Sequence, residues 1–381
     1  MTELERMRTD VVGSLLRPAA WKDARQRLEG GRIGADEFSR VEDDCLRRHI
    51  ALQEGVGLDV VSDGEISRLN FQDSFGLAVS GYETAAESVA THERRAAGGK
   101  PLARWDIPDL AGPGTPVVHR RPVAQKLKLI RNVPLDEYRR AAPLTKKPLK
   151  VSLIGPDRIM QRFDHAASKS VYPSVEAFLD DVVAIQRTMI RQLVDAGCRY
   201  VHIDEPGYTA YVDGPSLAAM RARDEDPQHR LSLSLNANSR IASGFPGVTF
   251  GIHLCRGNQR SMWHREGTYD AIAERLFNEL PHQRFLLEYD SPRAGGFAPL
   301  RFVPKDKVAV LGLVSTKVPE LEPLEALQRR VEEASRYLPL ERLAVSPQCG
   351  FGSDVVGNLI GEDDQKRKLE RVVELARSVW Q

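Results

Sequence analysis

"VTFGIHLCRGN" (residues 248–258) carries, in eleven residues, the pattern on which the fold assignment turns. Its first seven residues form an apolar run bounded by turn-forming residues, which reads as a buried strand. The chain then turns polar at Cys255, Arg256, Gly257 and Asn258. His253 and Cys255 stand two apart at that change, and an extended chain puts alternate side chains on one face. Chemistry-bearing residues therefore gather at the carboxyl end of a strand.

The pattern recurs along the chain. Strands are expected at "VVGS" (11–14), "LDVVSDGE" (58–65), "LKVSLIGP" (149–156) and "RYVHIDEP" (199–206). After 248–254 come "RFLLEYD" (284–290), "KVAVLGLV" (307–314) and "RLAVSPQ" (342–348). Helical stretches separate several of these. "SVEAFLDDVVAIQRTMIRQLVDAG" (174–197) opens on a serine cap, repeats apolar residues at helical spacing and stops at Gly197. "TYDAIAERLFNEL" (268–280) and "EPLEALQRRVEEASRYL" (322–338) behave alike.

Eight such alternations imply an α/β chain folded as a single (β/α)8 TIM barrel over residues 1–381. A doubly wound open sheet competes, because periodicity does not reveal whether a sheet closes. The barrel is preferred because Asp63, Glu65, Asp204, Glu205, His253, Cys255, Glu288, Asp290 and Cys349 all fall at or just past strand ends. A closed barrel gathers those ends around one mouth. Residues 76–148 break the rhythm after the second strand with "RRAAGGKPLARWDIPDLAGPGTPVVHRRPVAQ" (94–125) and "LKLIRN" (127–132). They read as an insertion carrying a β-hairpin, serving as a cover, an oligomer contact or a lid. "QHRLSLSLNANSR" (228–240) reads as a further short strand.

Composition narrows the function. Lys plus Arg number 54 against 53 Asp plus Glu, a net charge of +1 that calls for neither nucleic acid nor an anionic membrane. No apolar run is long enough to span a bilayer, and the polar start "MTELERMRTD" is unlike a signal peptide, so a cytoplasmic location is expected. No dinucleotide fingerprint follows the first strand, and there is no P-loop or hydrolytic triad. A homo-oligomer is compatible with the chain, although no interface can be assigned from it. Of the four cysteines, Cys45 and Cys198 suit packing, whereas Cys255 and Cys349 ("SPQCG") follow strands in polar, glycine-bearing contexts.

His253, Cys255, Cys349 and the Glu288 carboxylate form a mixed donor set suited to a soft divalent cation. Zinc fits best and iron remains open. With its ligands on separate strands, such a site presupposes the folded chain and would not nucleate folding.

The order of "VVGSLLRP", "SDGE", "HIDEP", "GIHLCRGN", "LLEYD", "GLVSTKVPE" and "SPQCGF" resembles the catalytic domain of cobalamin-independent methionine synthase and its shorter relatives. The resemblance runs nearly end to end. It implies a zinc-dependent alkyl transfer at the mouth of a (β/α)8 barrel, with His253, Cys255, Glu288 and Cys349 as ligands. It further implies that Glu65 and Asp204 hold a homocysteine ammonium, that Ser14 helps place the carboxylate, and that Glu288 yields to the incoming sulfur. Glu288, Asp204 and Glu65 are thus the residues expected to carry catalysis. Arg17, Arg68, Arg256 and Arg293 lie near the same loops, and any one of them could neutralise a substrate carboxylate.

The donor is less defined. The family's histidine in the segment matching "GLVSTKVPE" is absent, and "GPDRIMQRFDH" (155–165) lacks the tryptophan expected beside a folate. A methyl-corrinoid, methyltetrahydrofolate or another small donor is compatible. Two further readings stand beside homocysteine methylation. One is epoxide opening by coenzyme M, a related branch needing the same thiolate; the other is a non-catalytic structural zinc or thiol-sensing barrel.

Overall fold

The computed structural model describes residues 6–83 and 120–380. Its strands are β1 (Val61–Ser62), β2 (Val79–Tyr82), β3 (Val123–Leu129), β4 (Leu149–Ile154), β5 (Tyr200–Asp204), β6 (Thr249–Leu254), β7 (Arg284–Glu288), β8 (Val308–Val314) and β9 (Leu343–Pro347). Seven of them form one sheet in the order β1-β4-β5-β6-β7-β8-β9. Every pairing in it is parallel. Strands β4, β7, β8 and β9 are buried along their whole length, as the near-continuous apolar runs of a parallel sheet require.

Helices cross between the strands. Val175–Asp195 links β4 to β5, and the Ser174 hydroxyl accepts from the Ala177 amide at 3.2 Å to cap it. Pro227–Ala242 links β5 to β6, Asp270–Glu279 links β6 to β7, and Leu324–Ser335 links β8 to β9. Stretch 228–240, expected as a strand, lies within the first of these three helices. Its buried Arg230, Leu231, Ser234, Leu235, Asn238 and Ile241 recur at helical spacing, a pattern the alternation of "LSLSL" hides.

The closed eight-stranded barrel is not formed; the sheet has seven strands and stays open. The expected first strand, "VVGS" (11–14), contributes none. The amino-terminal segment meets β9 through a single bridge, Thr9 to Val345. The bridge is made by the Asp10 amide on the Val345 carbonyl and the Val345 amide on the Arg8 carbonyl, both at 2.9 Å, while the Val11 amide turns to its neighbour's Asp10 carboxylate at 2.9 Å. On the other side, β1 pairs through only two residues. Residues 8–10 nonetheless span this seam: Asp59 accepts from the amides of Arg8 and Thr9 at 2.8 and 2.9 Å.

Beneath the sheet's amino ends, Asp10 is fully buried. It accepts from Lys150 of β4 at 2.7 Å, Tyr200 of β5 at 2.7 Å and Arg284 of β7 at 3.0 Å. Burial alone would raise its pKa, but Lys150 and Arg284 hold it below the usual value.

Within the interval 76–148, β2 and β3 pair antiparallel as a separate two-stranded sheet. Residues 84–119, which include most of the Gly- and Pro-rich stretch, lie outside the described residues. Among the described residues, no helix is long and apolar enough to cross a membrane.

Candidate metal centre

Parallel register puts the polar strand ends side by side. Asp204, the last residue of β5, is the lateral partner of His253 on β6. Cys255 follows β6 directly, Glu288 ends β7, and Cys349 lies two residues past β9. The His253, Cys255 and Cys349 donor atoms all fall within 4.8 Å of one another, and all three residues are buried. Among the described residues this is the one such group of His, Cys, Asp and Glu donors. An imidazole and two sulfurs converging in the interior fit a soft divalent cation.

The two thiols share their chemistry unequally. Cys349 donating to Cys255 is the main cause that holds Cys255 well below its ordinary pKa, with His253 adding to it and burial opposing. The same contact and burial push Cys349 well above. Below, the His202 ring stacks on His253 with centroids 6.2 Å apart.

An open cavity adjoins the cluster. Asp204, Cys255, Arg256 and Cys349 are on its wall, along with Phe71 and His264. His253, Glu288, Glu65, Arg68, Ser14 and Arg17 are buried and do not line it.

Glu288 stands outside the three-residue cluster. Its Oε2 accepts from the Arg256 amide at 2.6 Å, and its Oε1 lies 3.8 Å from Lys317 Nζ. Burial raises its pKa, with Lys317 pulling the other way. Asp204 is pushed up to about 7 by burial, His253 opposing, and its Oδ1 has no hydrogen-bond partner. Glu65 is also raised by burial, and its Oε2 is likewise unpartnered.

The backbone at Glu65 is unusual, with φ of 53° in the left-handed region. Arg17 holds it there. Its guanidinium donates to the carbonyls of Glu65 and Arg68, both at 2.7 Å, and to those of Leu15 and Gly352 at 3.0 and 2.8 Å. Arg68 forms a two-pronged pair with Glu137 at 2.8 and 2.6 Å, approaches Glu65 at 3.3 Å and donates to Ser152 at 2.6 Å. Arg256 donates to Gly267, Tyr269 and the Glu288 carbonyl at 2.6, 3.0 and 3.2 Å. These three arginines thus spend donors on the protein's own acceptors. Arg293 lies over the Trp263 ring at 4.9 Å. The Ser14 hydroxyl lies so close to Gly350 that a Cβ there would come within 2.0 Å of it, beside Cys349.

Several residues escaped the sequence reading. Asn258 donates to Gly350 at 2.5 Å and to Thr316 at 3.2 Å, bracing the loops after β6, β8 and β9 against each other. Asn358 joins them, donating to Asn258 at 3.0 Å and to the Thr316 carbonyl at 2.7 Å. Glu205, given no role in the sequence, receives the amides of Asp157 and Arg158 at 2.9 Å each and so caps the short helix Pro156–Gln161. Glu137 and Lys317 sit far in sequence from the residues they face, so spacing offered no sign of them.

A parallel α/β sheet with a buried His–Cys–Cys cluster at its carboxyl edge defines the class: an α/β protein with donors able to hold a metal ion beside an open cavity. A family profile described as "Cobalamin-independent synthase, Catalytic domain" matches residues 7–101. YxjH of Bacillus subtilis (strain 168) is 33% identical over 378 residues, covering 98% of this chain and 94% of that protein. The methionine synthase of Pyrococcus abyssi (strain GE5 / Orsay) is 23% identical over 352 residues, covering 92% and 87%. The structure of a B12-independent methionine synthase from Shewanella sp. W3-18-1 in complex with selenomethionine shares the fold, with a TM-score of 0.70, 16% identity and coverage of 98% and 97%. The chain belongs to the cobalamin-independent methionine synthase family.

Proposed function

We propose that this chain is a cytoplasmic, zinc-dependent thiol alkyltransferase whose acceptor is homocysteine, giving methionine. The observation that carries the reading is the convergence of His253, Cys255 and Cys349 within 4.8 Å, with both cysteines and Asp204 on the wall of one cavity. The methionine synthase name of the Pyrococcus relative points the same way. Zinc held by these three residues would lower the pKa of a bound thiol and keep it as a nucleophilic thiolate at neutral pH.

The chain's own residues do the rest. Asp204 and Glu65 each carry a buried oxygen without a hydrogen-bond partner, which suits them to receive the three donors of a substrate ammonium. That ammonium would also lower the pKa of both carboxyls, reversing the effect of burial. Ser14, packed against the Cys349 loop, would help place the carboxylate. Transfer forms the sulfur–carbon bond as the donor's bond to that carbon breaks, and the pair leaves with the donor. A methyl-corrinoid or methyltetrahydrofolate would serve as donor.

The test is zinc-edge X-ray absorption on metal-quantified protein with and without homocysteine or coenzyme M. Homocysteine is expected to add a sulfur to a sphere of one nitrogen and two sulfurs and to displace an oxygen ligand, the place the resemblance gives to Glu288. Coenzyme M doing so alone would replace homocysteine with that acceptor. A sphere unchanged by either thiol, or no bound zinc, would overturn the proposal.

A further inference from the structure

A second cleft opens at the other end of the sheet. It lies at the amino ends of β4 and β5, whereas the metal cluster stands at the carboxyl ends. Lys146, Lys147, Gly197, Arg199 and Tyr200 line it together with Tyr138, and no carboxylate among the described residues does. Three cations thus share one opening, and among the described residues none of them makes an ion pair. Like charges gathered without a counter-ion raise the local potential and attract an anion.

Two of the three are fixed by the backbone. Lys147 Nζ donates to the Leu58 carbonyl, and Arg199 Nη1 donates to the carbonyls of Val194 and Cys198 at 2.9 Å each. These acceptors are neutral, so they orient the cations without cancelling their charge. They also leave the other nitrogens of the Arg199 fork for a ligand. The loop that carries both lysines is braced by Thr145, whose hydroxyl accepts from the Lys147 amide at 3.0 Å and donates to Glu54 at 2.5 Å. Gly197 sits in the left-handed region with φ of 105°, and a Cβ there would come within 3.4 Å of the Tyr138 hydroxyl. A bare backbone at this point leaves room beside the phenol, a neutral donor.

We propose that this cleft is a binding site for a small phosphate-bearing anion, held by Lys146, Lys147, the Arg199 fork and the Tyr138 hydroxyl. A guanidinium with two ammoniums matches the several charged oxygens of a phosphate or diphosphate. An occupant would also meet Tyr200, whose hydroxyl donates to Asp10 at 2.7 Å, so its binding bears on the buried network at the seam. The site is independent of the thiol-alkyltransferase reading.

The experiment titrates pyrophosphate into the full chain by isothermal calorimetry at low salt, where exposed charges are least screened. Wild type is compared with Lys146→Ala, Arg199→Ala and their double variant. The control is Lys366→Ala, which removes an ammonium that lies 3.6 Å from Glu370 and does not line the cleft. Lys146 is exposed, so its truncation should leave the fold intact whatever Arg199→Ala does. Each single cleft variant is expected to weaken pyrophosphate about tenfold, the scale of one charge-assisted contact, and the control to match wild type. Pyrophosphate is also expected to raise the urea midpoint of wild type but not of the double variant. Titrations with AMP and ribose 5-phosphate separate the sources: tighter AMP supports the site with a nucleotide as its ligand, and equal affinity supports it with a simple phosphate. No binding by wild type at millimolar pyrophosphate, or equal affinity in wild type and Lys146→Ala, would overturn the proposal.

Discussion

His282 shows what one buried side chain can impose. Neither ring nitrogen has a hydrogen-bond partner, and burial beside Lys307 pushes its pKa down from 6.5 to about 3. The folded-state value lies below the unfolded one, so the neutral ring favours folding fully above pH 6.5, and that contribution is lost as pH falls toward 3. Each unit of difference is worth about 1.4 kcal/mol. Replacing His282 with Leu is therefore expected to flatten the fall in stability between neutral pH and pH 4, as read from urea unfolding at both. Equal falls for the variant and the parent would show that the imidazole carries no such cost. The sequence offered no hint of this histidine, because nothing local distinguishes a buried neutral ring from an exposed one. His253 was legible, since a cysteine two residues on and a polar turn after the strand gave it context.

At the scale of the element, each metal-site residue is only as well placed as the loop that follows its strand. Asn258 joins the loop after β6 to those after β8 and β9 through Thr316 and Gly350, next to Cys349. Polar groups that orient ligands typically change metal affinity by ten- to a hundredfold when lost. Asn258→Ala is expected to weaken metal binding by roughly tenfold in competition with a chromophoric chelator, with the circular dichroism of the fold retained. Unchanged affinity would mean that the strands alone hold the ligands. Strand positions were legible because apolar runs bounded by Gly and Pro are local signals, as at β4, β6 and β8. The helix at Pro227–Ala242 was not, because a short alternation of Leu and Ser imitates a strand until the wider spacing of buried residues is known.

Over the whole molecule, the open sheet is held at its seam by side chains. Asp10, on the amino-terminal segment, joins Lys150, Tyr200 and Arg284 from three strands, all buried. Asp10→Ala would leave two buried cations without their shared carboxylate. Breaking such a network costs about 3–5 kcal/mol, to be read as a lowered midpoint in denaturant unfolding. A loss below about 1 kcal/mol would show the seam to be held mainly by apolar packing and backbone bonds.

The alternation of strands and helices, the strand ends at which His253, Cys255, Glu288 and Cys349 stand, and the resemblance that joins them could all be read from the chain before it folds. These depend on short-range periodicity and residue order, which a chain displays before it folds. The folded chain alone shows that the sheet stops at seven strands, that His253, Cys255 and Cys349 converge, and that Arg17, Arg68 and Arg256 serve the backbone and their neighbours. Closure and charge partnership depend on which groups far apart in the chain meet in a dry interior, as where Asp10 meets Lys150, Tyr200 and Arg284, and short-range periodicity carries no record of such meetings.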